Sequence, residues 1–358
     1  MRTRVVMTGA GVVSPLGHSL AATRDALARG RSAVGPVTAF DASGFAARQS
    51  AEVRDFDPRP SFATPKAIKM TDRSAQFAVV AAKAAREASG WSGGDLSRPL
   101  GVLMGTSGHD LLIEDIAAAL GEDPSQRAVT DIAWCAERLM SGLPPLWLLT
   151  VLPNMISAHV AMQHAAAGPC STLMSSDAAG LQAIGEAAEW IRAGDADAVI
   201  AGAADSAVNP FVCMAFEQAG VMDALGEGAG VFFLERRDQA VARGACILAE
   251  VLAYASAGRG RAACDRAIAT VCAEGGVATE RLRWTVGDVT FPGVPHVSLT
   301  GQMGHALAAA VPVALAVALT DPSAFDDRTD ALVAVYGEYG PSVAVALRMG
   351  AGRENKDD

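Results

Sequence analysis

The sequence lacks any recognisable metal-binding pattern and has few features of a secreted or membrane protein. Its six cysteines are scattered without CxxC spacing, which is typical of reduced thiols in a cytoplasmic protein. The longest apolar run, residues 306–320, is short and contains Pro312, so we expect a core helix there rather than a membrane span. Residues 3–8 read as a strand ending in a turn at Gly9, so no apolar leader is expected.

Positive charge is also scarce. The 358 residues include 29 Lys and Arg against 39 Asp and Glu, which gives a net charge of −10. A nucleic-acid-binding protein, or one that docks on an anionic membrane, would need clustered cations, so this balance argues against both partners. The hydrophobic fraction of 51% allows a large core, and the length allows two packed units or one large α/β domain.

Runs of β-branched residues alternate with Ala-rich stretches, which is the pattern of an α/β protein with buried strands. Both halves contain a strand, a long helix and another strand, as an internal duplication would produce. We expect a hinge at 236–244 and a disordered polar tail at 351–358. The predicted strands are 3–8, 100–105, 171–175, 198–202, 229–235, 246–254, 284–289, 331–336 and 342–348. The predicted helices are 19–29, 71–90, 112–120, 131–140, 154–164, 178–193, 261–274 and 304–319.

Glycine clusters at 9–17 and 226–230 raise the question of phosphate binding. A nucleotide-binding glycine loop needs a strand before it and a helix after it, within one βαβ unit. The cluster at 226–230 runs instead into the apolar stretch 231–235. We therefore expect these glycines to serve close backbone packing, which their lack of a side chain permits.

Seven segments of the chain carry recognisable motifs in a fixed order: 4–17, 40–45, 70–73, 101–106, 152–161, 187–202 and 226–231. That order resembles the order of motifs in the β-ketoacyl synthases of fatty-acid and polyketide synthesis. Each similar segment is weak evidence alone, whereas their collinear order is specific. The resemblance implies a thiolase fold, an α/β protein with two similar halves in a five-layered α-β-α-β-α stack, without a cofactor. Residues 1–240 would form the N-terminal half and 241–350 a shortened C-terminal half.

Active members of that family carry a Cys at the tip of a sharp turn that opens a buried helix. There the helix N-terminus lowers the thiol pKa, and backbone N–H groups bind the thioester oxygen. The matching stretch is 168–180, with Asp177 at the Cys position. A carboxylate is a poor nucleophile toward a thioester and cannot store an acyl group. Alternatively, Asp177 only caps the helix 178–192. Cys170, expected at the start of a buried strand, is not predicted to replace the nucleophile.

The family's two His residues and its Lys are also altered. Alignment of 282–288 with the strand before the first His places Asp288 at that position, and a segment of the family pattern is missing after it. His305 matches the second His and Thr300 the Lys, although a competing register would put Gln302 at the His position. Because loss of one member of a nucleophile–base unit costs on the order of 10⁴–10⁶ in rate, we do not expect this chain to condense acyl groups alone.

Two further regions follow from the resemblance. Active members have a Gly-rich turn that gates the pocket, where this chain has Tyr336, Glu338 and Tyr339. These side chains are predicted to fill or reshape the pocket, or else to form a plain turn between the last two strands. The resemblance also implies a dimer built around the strand near 171–176. The expected interface residues are Pro153, Asn154, Met155, Thr172 and Met174.

These residues favour a subunit like a chain length factor, a ketosynthase-like protein without the active Cys. Such a subunit pairs with an active ketosynthase in a type II polyketide or fatty-acid-like synthase, serves an acyl carrier protein, and helps to shape the acyl-chain pocket. The alternative is an acyl-thioester enzyme with altered chemistry (acyl transfer, hydrolysis or cyclisation) that uses Asp177 and His305. If Asp177 and Asp288 face one pocket, their like charges favour sharing one proton. A third hypothesis is a scaffold for carrier proteins with no part in lining the chain.

Overall fold

The computed structural model describes residues 2–46, 48–92, 99–108, 113–121, 131–221, 223–321 and 329–349. The predicted tail at 351–358 lies outside the described residues. The strands are β1 Val5–Val13, β2 Val34–Pro36, β3 Gln49–Ala51, β4 Gly101–Thr106, β5 Cys170–Met174, β6 Ala198–Ser206, β7 Leu225–Arg236, β8 Ala249–Ala257, β9 Leu282–Gly287, β10 His296–Val297, β11 Asp330–Val335 and β12 Ser342–Met349. The helices are α1 Leu20–Ala28, α2 Pro65–Ile68, α3 Arg73–Ser89, α4 Ile113–Leu120, α5 Ile132–Gly142, α6 Leu148–Val151, α7 Met155–His164, α8 Ala179–Ala193, α9 Pro210–Ala219, α10 Arg237–Ala242, α11 Arg261–Gly275, α12 Thr300–Met303 and α13 Ala310–Leu319.

The two halves repeat one strand order. The first half runs β5-β4-β6-β7-β1 and the second runs β10-β9-β11-β12-β8, each from its outer strand inward. In each half the first two pairings are parallel and the next two are antiparallel. The two sheets join through a short antiparallel pairing of β1 with β8. The predicted thiolase-like arrangement of two similar halves is therefore confirmed.

Helices cover both sheets and fill the space between them. Helices α3 and α7 lie outside the first sheet, and α11 lies outside the second. Helices α8 and α13 lie between the sheets, where their apolar side chains form one large cluster with residues of both halves. This is the five-layered stack that the resemblance implied. Among the described residues, no helix has the length and hydropathy that crossing a membrane requires.

Glycines allow the central elements to pack backbone against backbone. The predicted turn at Gly9 was wrong, because β1 continues through Gly9 and Gly11 to Val13. A Cβ at Gly9 or Gly11 would lie 1.9 or 2.0 Å from a carbonyl oxygen of α3, so both glycines permit the close approach of that helix. Gly230 meets the backbone of α13 in the same way, which confirms the packing prediction for the cluster at 226–230.

Two other predictions need correction. The helix expected over 304–319 begins only at Ala310, after a turn of 3-10 helix at Leu307–Ala309 in which Leu307 has a φ of +48°. The strand expected to be buried around Cys170 is β5, which lies at the end of the sheet. Cys170 itself is exposed. Both differences arise from tertiary position, which the apolar pattern of a single segment does not reveal.

Candidate active site

Asp177 lies in a sharp turn between β5 and α8. Ser176 has a φ of +53°, which a residue with a side chain seldom adopts, and the turn of 3-10 helix at Ser176–Ala178 leads directly into α8. The N-cap of α8 is Ala178, one residue later than the capping interpretation of Asp177 requires. The Asp177 carboxylate is 44% exposed, and its Oδ2 lies 3.7 Å from Nε2 of His305. The turn therefore directs the Asp177 side chain toward His305.

The backbone of His305 is bound to the start of β7. Its N–H donates to the carbonyl oxygen of Ala224 at 2.7 Å, and its own carbonyl oxygen accepts from Gly226. The ring Nδ1 accepts from the backbone N–H of Leu307 at 3.3 Å, so a neutral imidazole carries its proton on Nε2, the atom that faces Asp177. The edge of the Phe216 ring supports the imidazole, with 5.4 Å between ring centroids. The side chain beside Asp177 is therefore that of His305 and not that of Gln302.

Asp288 reaches the same place from the second half. It follows Gly287, the last residue of β9. Gly287 has a φ of +96°, and a Cβ added there would lie 2.1 Å from the carbonyl oxygen of Ala334, so the position excludes a side chain. The Asp288 backbone N–H donates to that carbonyl oxygen at 2.9 Å. Its Oδ2 accepts from the backbone N–H of Tyr336 at 2.8 Å. Asp288 thereby braces the start of the loop that was predicted to gate the pocket.

One small cavity unites these positions. Asp177, Asp288, Thr300 and His305 all line it, although they come from three separate segments of the chain. Its volume is about 80 Å³, which holds a few water molecules but lies far below the roughly 300 Å³ where small-molecule sites begin. In this chain alone, the cavity therefore has no room for an extended acyl chain. The described residues contain no group of three or more His, Cys, Asp or Glu that could hold a metal ion.

The predicted gate residues do not line this cavity. Tyr336 packs on the apolar cluster between α11 and the second sheet, and Tyr339 is 70% exposed. Glu338 is exposed as well. The loop still reaches the Asp177 turn, because a Cβ at Gly340 would lie 2.7 Å from the carbonyl oxygen of Ser175. Its gating role stays a prediction, carried by the backbone near Gly340 rather than by the three side chains.

A buried carboxylate beneath the site was missed by sequence reasoning. Asp205, at the end of β6, is 2% exposed. Its Oδ1 accepts from the hydroxyl of Thr106 at 2.7 Å and from the N–H of Ser107 at 2.9 Å, and its Oδ2 accepts from the N–H of Ala308 at 2.9 Å. Asp205 thus joins the ends of β4 and β6 to the turn that follows His305. A single acidic residue at the end of an apolar strand was the only signal in the sequence.

The five predicted interface residues lie together at the β5 end of the first sheet, which has no further strand among the described residues. Thr172 is on β5 and contacts Ser157 of α7, with 2.6 Å between the two hydroxyl oxygens. Met174 is 58% exposed, and Pro153, Asn154 and Met155 stand at the start of α7. Further apolar side chains are exposed nearby, and an exposed patch of this kind usually marks a contact surface. They are Leu146, Leu148, Leu149, Leu152 and Met162.

Comparison with known sequences places these features in context. Residues 2–240 match the family described as "Beta-ketoacyl synthase, N-terminal domain". The chain is 30% identical to 3-oxoacyl-(acyl-carrier-protein) synthase 2 of Synechocystis sp. over 80% of its own length and 69% of that relative. It is 32% identical to the granaticin polyketide putative beta-ketoacyl synthase 1 of Streptomyces violaceoruber, over 72% of its own length. The chain spans 64% of the length of that second relative.

Two solved structures show the same fold over nearly the whole chain. A chain of the ishigamide ketosynthase/chain length factor superimposes with a TM-score of 0.81 at 25% identity, covering 98% of this chain and 100% of the other. A β-ketoacyl synthase from Burkholderia phymatum superimposes with a TM-score of 0.80 at 20% identity, over 97% of this chain and 99% of the other. The second similarity, at that identity, concerns the fold alone.

Proposed function

Because this chain belongs to the β-ketoacyl synthase family, we propose that it is a non-condensing, chain-length-factor-like subunit that pairs with an active ketosynthase in a type II polyketide or fatty-acid-like synthase. The observation that carries this proposal is Asp177 at the turn where the acyl group would be stored. Asp288 and Thr300 replace two further groups of the condensing machinery around the same cavity. The partner ketosynthase then carries out the condensation, and an acyl carrier protein delivers the acyl chain in the cytoplasm.

The edge of the first sheet supports the pairing. Strand β5 is bonded to β4 on one side, and among the strands that the structure describes it has no neighbour on the other side. An open strand edge readily pairs with a strand of another chain. The apolar side chains around Met174 and Leu148 would lose their exposure in such a complex, as in the apolar centre of a stable interface. A pocket for the growing chain would then form between the subunits, since the cavity within this chain is too small.

Co-expression tests the pairing. We expect this chain to be poorly soluble or self-associated alone, and to form a 1:1 complex with the ketosynthase encoded beside it. Met174→Asp should abolish that complex on gel filtration, because it buries a charge at the strand edge. Met214→Asp is the matched control, since Met214 is 43% exposed on α9, away from β5. Separate migration of the two unmodified proteins would contradict the proposal.

The absence of acyl storage is tested on the complex itself. After incubation with a loaded carrier protein, intact-mass spectrometry should show an acyl adduct on the ketosynthase and none on this chain. A stable adduct on the unmodified chain would refute the non-condensing role. Replacing small residues near 150–160 by bulky ones should change the product length if this chain helps to line the pocket. The product length should stay unchanged if the chain is only a scaffold.

A second function has one specific observation in its favour. Asp177, His305 and Asp288 share one cavity, and the His305 proton faces the Asp177 carboxylate. The Asp177 carboxylate, which faces the N–H of His305, could act as the general base on a water molecule or an alcohol and so support hydrolysis, acyl transfer or cyclisation of an acyl thioester. Turnover of a carrier-protein thioester by the purified chain that is lost in Asp177→Asn would support it. Equal rates for both proteins would remove it.

A further inference from the structure

A groove on the first half shares no lining residue with the Asp177 cavity. It lies between residues 60–63, the C-terminal end of α3 and the C-terminal end of α7. Its volume is about 450 Å³, within the usual range of small-molecule sites. Lys83, Arg86, Trp91 and His164 line it. The groove therefore combines room for a ligand with two cations, an aromatic ring and an imidazole.

His164 lines this groove, and one of its ring nitrogens is buried without a partner among the described residues. The residue is 7% exposed, and within the described part of the chain its Nε2 has no hydrogen-bond partner. Arg86 Nη1 lies 3.4 Å from the other ring nitrogen, Nδ1, and a guanidinium group can only donate. Nδ1 is therefore the acceptor, and the proton of a neutral imidazole is on Nε2. Buried donors normally have a partner, so Nε2 is a donor that the oxygen atom of a bound anion would satisfy.

The charge around His164 is positive. Burial, followed by the nearby charges of Arg86 and Lys83, lowers the pKa of His164 to about 4, so the imidazole is neutral at neutral pH. The two cations are held in place by other contacts. Arg86 lies over the Trp91 ring, 5.0 Å from its centroid, and Lys83 donates to the carbonyl oxygen of Pro60 at 2.7 Å. Glu87, 4.0 Å from Lys83, is the one carboxylate among the described lining residues and is 68% exposed.

We propose that this groove binds a small organic anion, either a carboxylate or a phosphate ester. Its oxygen atoms would accept hydrogen bonds from Lys83, Arg86 and Nε2 of His164. Its apolar part would lie against Trp91 and Phe62, which form the apolar wall of the groove. Such a site would be independent of the acyl chemistry at Asp177, and its occupation would satisfy the buried donor on His164.

Titration calorimetry on the purified protein, alone or with its partner, tests the site with three probes: benzoate, inorganic phosphate and the neutral benzamide. We expect saturable binding of benzoate or phosphate and none of benzamide. Whichever anion binds more tightly identifies the class of ligand. Arg86→Gln should weaken binding by roughly tenfold to a hundredfold, because it removes one charge-assisted hydrogen bond. Lys66→Gln removes an exposed cation of α2 outside the groove and should leave the affinity unchanged.

A substitution that is expected to tighten binding distinguishes a direct effect on the site from a loss of folding. Glu87→Gln removes a carboxylate that competes with the anion for Lys83, so it should tighten binding severalfold. On binding, ¹⁵N spectra of the imidazoles should show a shift of the His164 Nε2–H signal. Failure of both anions to bind would overturn the proposal. An effect of Lys66→Gln as large as that of Arg86→Gln would overturn it as well.

Discussion

Replacing Asp205 tests whether the turn beneath His305 depends on one buried carboxylate. In Asp205→Ala, the backbone N–H groups of Ser107 and Ala308 lose their acceptor, while the hydroxyl of Thr106 can rotate to another partner. Each buried N–H left without a partner costs about 1–3 kcal/mol. The free energy of unfolding should therefore fall by about 4 kcal/mol, a large part of the stability of a typical domain.

The conservative variant should recover much of this loss. In Asp205→Asn the amide oxygen can take the place of Oδ2, where it accepts from Ala308 at 2.9 Å and from Ser107 at 3.0 Å. The amide nitrogen then donates to Thr106 Oγ1, which lies 2.7 Å from the Oδ1 position. Only the charge is lost, so we expect a decrease of about 1–2 kcal/mol. A surface control, Asp238→Ala, should change stability by less than about 1 kcal/mol, since Asp238 is 65% exposed.

Urea denaturation followed by circular dichroism measures these differences. The urea midpoint should fall most for Asp205→Ala, less for Asp205→Asn and least for the control Asp238→Ala. The dependence of the unfolding free energy on urea concentration should stay unchanged. The protein is used in the form that purifies, alone or with its partner, and the same form for every variant. The reasoning is refuted if Asp205→Ala costs less than about 1 kcal/mol, or if Asn is as harmful as Ala, since the cost then does not come from the unpaired N–H groups.

Three other predictions concern the site, the packing and the pH dependence. Asp177→Cys should acquire an acyl adduct detectable by mass spectrometry yet form no condensation product, because Asp288, which is predicted to match the first His position, still lines the cavity. Condensation by that variant would contradict this. Gly11→Ala should destabilise the protein by about 3 kcal/mol or more on chemical denaturation, because its Cβ would lie 2.0 Å from a carbonyl oxygen of α3. Gly35→Ala, with nothing within 4 Å of the added Cβ, should be close to neutral. Burial and two nearby cations lower the pKa of His164 from 6.5 to about 4, so only the unfolded chain takes up a proton between these values. His164 alone should therefore lower the stability by about 3 kcal/mol from pH 6.5 to pH 4. His164→Gln should remove that share and leave the loss due to His159, whose pKa burial also lowers.

Much of the fold could be predicted because its strands are continuous apolar runs. Strands buried on both faces need only β-branched and apolar residues, and such runs are visible in a single sequence. Helix α9 was missed although its signals are present: Asn209 caps it, Pro210 is its first residue and Gly220 ends it in a left-handed conformation. The end of β1 was misplaced because Gly9 serves close packing and not a turn. Local patterns do not distinguish these two uses of glycine.

The site could be predicted position by position but not as an assembled cavity. Motif order places Asp177, Asp288 and His305 at three family positions, and the structure brings all three to one cavity. The distance between Asp177 and His305, the small volume and the role of Asp205 depend on segments about a hundred residues apart. No periodicity within one segment contains that information. Tyr336 does not line the cavity because alternation at the end of β11 directs Val335 inward and Tyr336 toward α11, while the gating role of its loop stays a prediction.

The conformation around Asp177 argues for a role that does not require its chemistry. Ser176 and Leu307 both keep positive φ values, and each such residue costs of order 1–3 kcal/mol unless its surroundings impose it. Here Asp205 and the close approach of Gly340 impose the two turns, although no thiol is present for them to orient. The turn at Ser176 follows β5 directly, so the same rigid framework also fixes the open edge of the sheet. Under the proposed function, this framework is kept without a nucleophile because the proposed interface on β5 depends on it.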